Sequence, residues 1–398
     1  MQIFQGIRVV ELAQYVFVPA AGAVLADFGA EVIKVEPPGG DAYRHLELRG
    51  AQASRPNLGM EQNNRGKRSV VLDLKSPEGA EVMRKLVADA DVFLTNFRPG
   101  ALTRLGLDAA GLREMNPNII YARGTGLGPN GPDSGRPGYD SISFWSRGGI
   151  AALLTDPKAP HSVRSRGAFG DHIGAMNLAF GIAGALLHRE RTGEAAVVDA
   201  SLFAAAMWTI SSDATAAQYD DYTAWFERTE KGNPLTNSHP TSDGRWIQLC
   251  MQDPDRDWRA LCQHIGHPDL ADDPRFKDAK ARKANRDAIT DHLDAIFGRR
   301  SYAEWLEALA DFPGPWEPQK DMRELLADPQ VEANGYFPKM ELDGGGTVHV
   351  VAAPVSFDGS SGRPTRSPHL GEHTAEVLRS VGLDDGRIEA LRRQGVVG

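Results

Sequence analysis

Asp171 is the residue of this chain best placed to do chemistry. It stands in Gly170-Asp171-His172, at the mouth of a small and apolar run that continues through Leu178, Phe180, Ile182 and Leu187 to Arg189 and Glu190. Such a run forms a helix buried on most sides, so its first turn would hold a carboxylate at the edge of a core. Asp is a favoured N-cap, worth about 1 kcal/mol to a helix. The same place also suits a nucleophile. The helix dipole favours the anion against the desolvation that opposes it, and attack on an acyl group would give a covalent acyl-aspartyl anhydride. His172 is the neighbouring candidate for acid–base work, although successive helical residues point in different directions. Tyr139-Asp140 follows a Gly/Pro-rich loop, and Asp140 is either a cap or an active-site acid.

A second group of residues suits an anionic ligand. Asn96-Phe97-Arg98-Pro99-Gly100 directly follows a strand, where open α/β sheets bind their ligands. Arg98 and Arg104 can offer fixed charge to phosphates and Phe97 a stacking face. With Arg65, Lys67 and Arg68 before the third strand and Arg123 at the end of another, they are expected to make an anion pocket. The alternative is a set of solvated surface charges. Gly124-Thr125-Gly126-Leu127-Gly128 is no dinucleotide loop, because Pro129 to Pro132 follow where a helix should start, and the chain has no Walker A lysine. Cys250 and Cys262 have no CxxC or HExxH companion, so neither a metal nor a nucleotide redox cofactor is expected.

The elements that must position these residues alternate. Ile7–Leu12, Glu31–Glu36, Arg68–Leu74, Asp91–Thr95 and Ile119–Ala122 read as strands. Between them Pro19–Phe28, a helix opened by Ser76-Pro77-Glu78, and Leu112–Met115 read as helices. Alternation of this kind implies a doubly wound, mostly parallel sheet. Beyond the loop, Ser141–Leu154 and Gly170–Arg189 read as helices, Ala196–Val198 as a strand, and Asp199 as the cap of a helix to Ala217. From Asp220 the composition turns aromatic and charged, with a strand at Gly244–Leu249 and helices at Asp257–Ile265, Asn285–Phe297 and Tyr302–Ala310. The expected architecture is a large α/β domain over 1–219, a smaller α+β domain over 220–335, and a segment over 336–398 that returns to the large domain; the helix Met322–Leu326, after Asp311–Pro315, is read as the start of the return. The aromatics Tyr222, Trp225, Phe226, Trp246 and Trp258 either line a roomy pocket or form the small domain's core.

The 398 residues, 41% hydrophobic and 24% charged, are ordinary for a soluble globular chain. A net charge of −9 argues against nucleic acid and anionic membrane surfaces as partners. Tyr15–Gly29 is interrupted by Asp27 and lacks a basic leader, so it reads as a buried helix rather than a signal or membrane segment. Two cysteines in so long a chain favour a cytoplasmic setting.

Several stretches together resemble the class III coenzyme A transferases, the family of formyl-CoA, carnitine and bile-acid-inducible CoA-transferases. They are Gly6–Leu12, Asp27–Glu36, Asn64–Lys75, Asn96–Gly100, the loop ending Gly138-Tyr139-Asp140, and Gly170-Asp171, with Leu326–Val331 similar to a C-terminal signature. The resemblance implies a Rossmann-like sheet completed by the C-terminal segment, in a homodimer of two interlocked rings. It implies an acyl-CoA donor, a carboxylic acid acceptor and Asp171 as nucleophile, passing through an aspartyl-acyl anhydride and an aspartyl-CoA thioester. It further implies CoA contacts at Gln14, Tyr15 and Val16, along Leu72 to Lys75, and at Asn96, Phe97 and Arg104, with Arg123 near the phosphates. The family's glycine-rich active-site loop has no clear counterpart, Gly232-Asn233-Pro234-Leu235 standing in its place. Pro313–Pro318 also departs from the usual family text.

Two other activities fit parts of the chain. The related α-methylacyl-CoA racemases move a proton beside the thioester and need two acid–base groups on opposite faces. Their usual histidine is replaced here by Tyr139, which favours transfer. A non-catalytic acyl-CoA binding protein would use Asp171 only as a cap.

Overall fold

The computed structural model describes residues 1–46, 56–224, 227–228 and 232–398. They form two compact units, Met1–Gln218 with Pro329–Gly398, and Tyr219–Asp328. The first is built on six strands: β1 (Arg8–Leu12), β2 (Glu31–Glu36), β3 (Arg68–Val71), β4 (Val92–Thr95), β5 (Ile120–Thr125) and β6 (Val197–Ser201). They run parallel in the order β3-β2-β1-β4-β5-β6, with Val10 opposite both Ile33 and Phe93. The helices are α1 (Phe17–Asp27), α2 (Leu58–Asn64), α3 (Pro77–Ala88), α4 (Pro99–Leu105), α5 (Ala109–Met115), α6 (Ile150–Leu154), α7 (Phe169–Thr192), α8 (Leu202–Thr209) and α9 (Ser211–Ala216).

Alternate strand residues face opposite sides of a sheet, and both sides here are covered. Val9, Val32, Leu94 and Ile120 meet Phe17, Leu25, Leu178 and Ile182 of α1 and α7. Val10, Ile33, Val70 and Phe93 meet Val82, Leu86, Leu102 and Leu112 of α3, α4 and α5, together with Val377 and Leu391 from the helices Thr374–Ser380 and Asp385–Arg393. The chain's last residues thus complete the core beside β3, where Leu72 bridges Val397 and Asp73 N–H donates to Val396 O at 2.8 Å.

Local chemistry accounts for most boundaries. Ser76 caps α3 by accepting from Gly79 N–H at 2.9 Å, with Pro77 at its first position. Gly29, at φ 100°, takes the left-handed turn that ends α1. Four expectations need correction. The third strand stops at Val71 rather than Leu74, because Leu72 pairs with Val397 instead. Ser141–Leu154 is a π-helical segment, Asp140–Ser146, followed by the separate α6. Gly148 lies against Phe144 O and Ala206, and Gly149 turns left-handed at φ 83°. Asp199 is no cap: it lies within β6, paired with Arg123 at 2.7 Å, and Ser201 caps α8. Near 322–326 only a 3-10 turn forms, Glu324–Ala327.

The apolar α7 is also less covered than a helix of its composition suggests. Gly170, Gly174, Ala175, Leu178, Ala179, Ile182 and Ala185 form its buried face, whereas Phe180 is 80% exposed and Leu187 also faces out.

The second unit pairs the antiparallel strands Ser238–Pro240, Trp246–Leu249 and Trp316–Pro318. Its core joins Trp258, Leu261, Phe276, Leu293, Phe297 and Trp305. Trp258 is therefore a core residue, Trp246 is exposed on its strand and Tyr222 is half-buried. Trp225 and Phe226 lie outside the described residues. In Gly232–Leu235, Asn233 caps a short turn by accepting from Leu235 N–H, and the Leu235 side chain enters the core.

Candidate active site

A cleft of about 400 Å³ opens at the carboxyl ends of β1, β4 and β5. The turn after β1 supplies Gln14, Tyr15 and Val16, and the one after β4 supplies Asn96, Phe97 and Arg98. Gly124 and Gly126 follow at the end of β5, then Ser134, Arg136 and Tyr139 from the Gly/Pro loop, and Asp171 from α7. Eight of the anticipated residues are thereby brought together: Gln14, Tyr15, Val16, Asn96, Phe97, Arg98, Tyr139 and Asp171. Six lie outside this lining: Asp140 and His172, and four of the residues expected to bind CoA. Leu72 is buried in the core, Lys75 is exposed after β3, and Arg104 is exposed in the last turn of α4. Arg123 pairs with Asp199 and lies over the Tyr121 ring at 5.7 Å.

Asp171 is the third residue of α7 and does not cap it. The cap position belongs to Ala168, at φ 66°, whose side chain offers no acceptor. The acceptor comes from thirty residues upstream: Asp140 Oδ1 takes the Gly170 N–H at 2.8 Å. Asp140 therefore satisfies the helix terminus and leaves the Asp171 carboxylate free. This approach needs Gly170, because a Cβ there would stand 2.2 Å from Phe144 and 2.6 Å from Asp140 Oδ1. Gly174 one turn on has a similar role, since a Cβ would meet the Phe17 ring at 2.7 Å and push α7 off α1.

Burial, and secondarily the charge of Asp140, push the Asp171 carboxyl up to about 7. This desolvation opposes the preference of the helix dipole for the anion. Burial raises Asp140 as well, against the backbone N–H groups that favour its anion. An aspartate with so high a pKa is a stronger nucleophile when ionised than an ordinary carboxylate, and keeps its proton up to a higher pH.

His172 points elsewhere, with Nε2 2.9 Å from Asn63 Oδ1. Desolvation and the Arg65 guanidinium lower its pKa, so it is neutral near pH 7. It is absent from the cleft lining.

The cationic cluster expected before β3 is spent inside the fold. Arg65 pairs with Asp27 at 2.7 Å, Lys67 with Glu11 at 2.7 Å, and Arg68 with Glu31 and Glu376. Arg65 and Lys67 are buried, so their role is structural, and Arg136, exposed in the loop, takes up a place in the cleft lining that sequence reasoning missed. Its position after a proline- and glycine-rich stretch was the only available signal. Also missed was a buried network below the Gln14-Tyr15 turn. Lys34 Nζ lies 3.2 Å from Glu11 Oε1 and 2.9 Å from Asp41 Oδ2, and Asp41 Oδ1 accepts the Tyr15 and Tyr43 N–H groups.

Fold and cleft together are those of an α/β enzyme whose ligand enters at the carboxyl ends of parallel strands. The CoA-transferase family III profile matches residues 4–374, and the chain belongs to that family. It is 34% identical over 404 residues to a cinnamoyl-CoA:phenyllactate CoA-transferase of Clostridium sporogenes, covering 98% of this chain and 96% of the relative. It is 31% identical to an (R)-2-hydroxy-4-methylpentanoate CoA-transferase of Clostridioides difficile, covering 99% of each. A CAIB/BAIF family protein from Brucella suis superposes with a TM-score of 0.83 at 32% identity, over 96% of this chain and 99% of that one. The protein is a CoA-transferase that moves CoA between an acyl-CoA donor and a carboxylate acceptor. Among the described residues no helix is long and apolar enough to cross a membrane.

Proposed function

We propose that transfer runs through covalent intermediates on Asp171, the observation that carries this being its uncapped, half-buried carboxylate in the cleft with a pKa near 7. An Asp171 oxygen attacks the thioester carbonyl of the donor, the C–S bond breaks, and CoA leaves as thiolate. The product is an acyl-aspartyl anhydride. The thiolate then attacks the aspartyl carbonyl, releasing the donor's acid and leaving an aspartyl-CoA thioester. The acceptor carboxylate attacks that thioester, the thiolate leaves again, and its return to the acceptor's acyl carbon frees Asp171. Thioester energy is kept at each step, so no nucleotide is consumed. Phe97, Arg98 and Arg136 line the cleft in positions suited to CoA's adenine and phosphates. Apolar lining by Val16, Phe17 and Leu202, and relatives named for phenyllactate and 2-hydroxy-4-methylpentanoate, support monocarboxylic acids with an apolar side chain as the exchanged acids.

The test is hydroxylamine trapping with acyl-CoA present, followed by peptide mass spectrometry. A hydroxamate at Asp171 is expected, and Asp171→Ala should lose at least ~10³-fold in turnover while still binding CoA. Turnover surviving in that variant would sink the proposal. Tyr139 in place of the racemase histidine supports transfer over racemisation, and deuterium entry at the α-carbon without an acceptor acid would reverse that choice.

A further inference from the structure

Among the described residues only Tyr15, Ala168 and Asp358 combine a left-handed backbone with a side chain. For a bulky residue this conformation is strained and persists only where surroundings enforce it. Tyr15 and Ala168 belong to one cluster, packed on Val16, Tyr43 and Met60 at the head of α7. The backbone around Tyr15 is clamped on both sides. Its N–H donates to Asp41 Oδ1 at 3.2 Å, with Asp41 anchored by the buried Lys34. Gln14 gives its N–H to Asn96 Oδ1 at 3.1 Å and accepts from Asn96 Nδ2 at 2.7 Å. A glycine would adopt this turn without strain, so the enforced tyrosine points to a use for its side chain.

The ring lines the cleft with Tyr139 and Asp171. It meets the Tyr139 ring edge-on at 5.7 Å and 88°, and the Tyr43 ring at 6.4 Å. Burial, and then the charges of Asp171 and Asp41, raise the pKa of Tyr43. Burial and the neighbouring Tyr139 hydroxyl raise the Tyr15 pKa, so the phenol stays neutral and keeps its proton. A pair of phenols carries two O–H donors and several lone pairs but no charge. It is matched by a ligand group that both donates and accepts without charge, and it offers nothing to anchor a second carboxylate.

Resting on the covalent Asp171 reading, we propose that Tyr15, with Tyr139, determines specificity by binding a hydroxyl on the carbon next to the reacting carboxyl. The preferred acids are then apolar 2-hydroxy acids. A site built to hydrogen-bond a hydroxyl rejects the analogue lacking it, because its own polar groups lose their partner.

The experiment compares 2-hydroxy-4-methylpentanoate with 4-methylpentanoate as acceptors, using one donor and the full chain. The wild-type protein should favour the hydroxy acid by about tenfold or more in kcat/KM. Tyr15→Phe should bring the ratio close to one by lowering kcat/KM with the hydroxy acid far more than with the plain acid, and Tyr139→Phe should reduce the ratio. A purely structural Tyr15 would slow both acids alike and keep the ratio, which would overturn the proposal. So would equal wild-type rates for the two acids, an outcome that leaves the transferase reading standing. Failure to trap an acyl group on Asp171 would instead strike at that underlying reading.

Discussion

At the scale of single residues, the pair Asp140–Asp171 sets the pH behaviour. Burial, and then the charge of Asp140, push the Asp171 carboxyl up to about 7, and in the proposed mechanism only its anion would attack a thioester. The donor half-reaction should therefore fall about tenfold per pH unit below that value, which a pH profile of single-turnover acyl transfer will show. Asp140→Asn keeps an acceptor for Gly170 N–H but removes a charge that raises Asp171. Its acid limb should move to lower pH, and an unmoved limb would exclude coupling between the two acids. Stability carries the same signature. A carboxyl whose folded pKa is raised holds more protons in the native state, so it costs stability as pH rises from about 4 to 7. Asp171→Asn should be the more stable protein at pH 8, by roughly 1–3 kcal/mol, with the difference fading below pH 4 in urea melts. Asp171 was legible in the sequence because a lone acid before an apolar run is conspicuous. Its partner was not, because a cap supplied from Asp140 across an intervening loop leaves no local spacing to read. Arg65 and Lys67 misled for a related reason: basic side chains look alike in sequence whether they reach a phosphate or a buried acid such as Asp27 or Glu11.

At the scale of elements, close approach rather than propensity holds the site together. Gly22 on α1 lets the Glu11–Lys67 pair lie against the helix, since a Cβ there would stand 2.1 Å from Glu11 Oε2. Gly174 does the same for Phe17 between α1 and α7. Gly174→Ala should cost about 1–3 kcal/mol in denaturant unfolding by overpacking this contact. Gly170→Ala should harm turnover more than stability, because its methyl would displace Asp140 and the first turn of α7. The strands were readable because an apolar run flanked by Gly and Pro has few alternatives: Glu31–Glu36 is both the expected and the observed β2. The break between Asp140–Ser146 and α6 was not, because an Arg-Gly-Gly step is tolerated in a helix until tertiary contacts, here Phe144 O and Ala206, decide against it.

At the scale of the whole molecule, apolar surface is left over. Phe180 of α7 is 80% exposed and Trp208 of α8 is 76% exposed, with Met207 and Leu187 also facing out. We propose that these side chains, on α7 and α8, meet a second copy of the chain. Light scattering should give a dimer, and Phe180→Arg with Trp208→Asp should weaken it; a monomer from the unaltered chain would refute this. The exposed face of α7 was not legible in the sequence, since an apolar composition alone does not say which face of a helix is covered. The inserted unit Tyr219–Asp328 has its own core of Trp258, Phe276, Leu293 and Trp305.

The bridge from Leu72 to Val397 also has a meaning in time. At about 5–20 residues per second, a ribosome takes roughly fifteen seconds to a minute to pass from one end of that bridge to the other. Throughout that interval the core beside β3 lacks Val377, Leu391 and Val397. The inserted unit can close while it waits, but the sheet that carries the active site cannot. A chain cut a few dozen residues before Val397 would leave an open apolar sheet face for the cell's quality control to find.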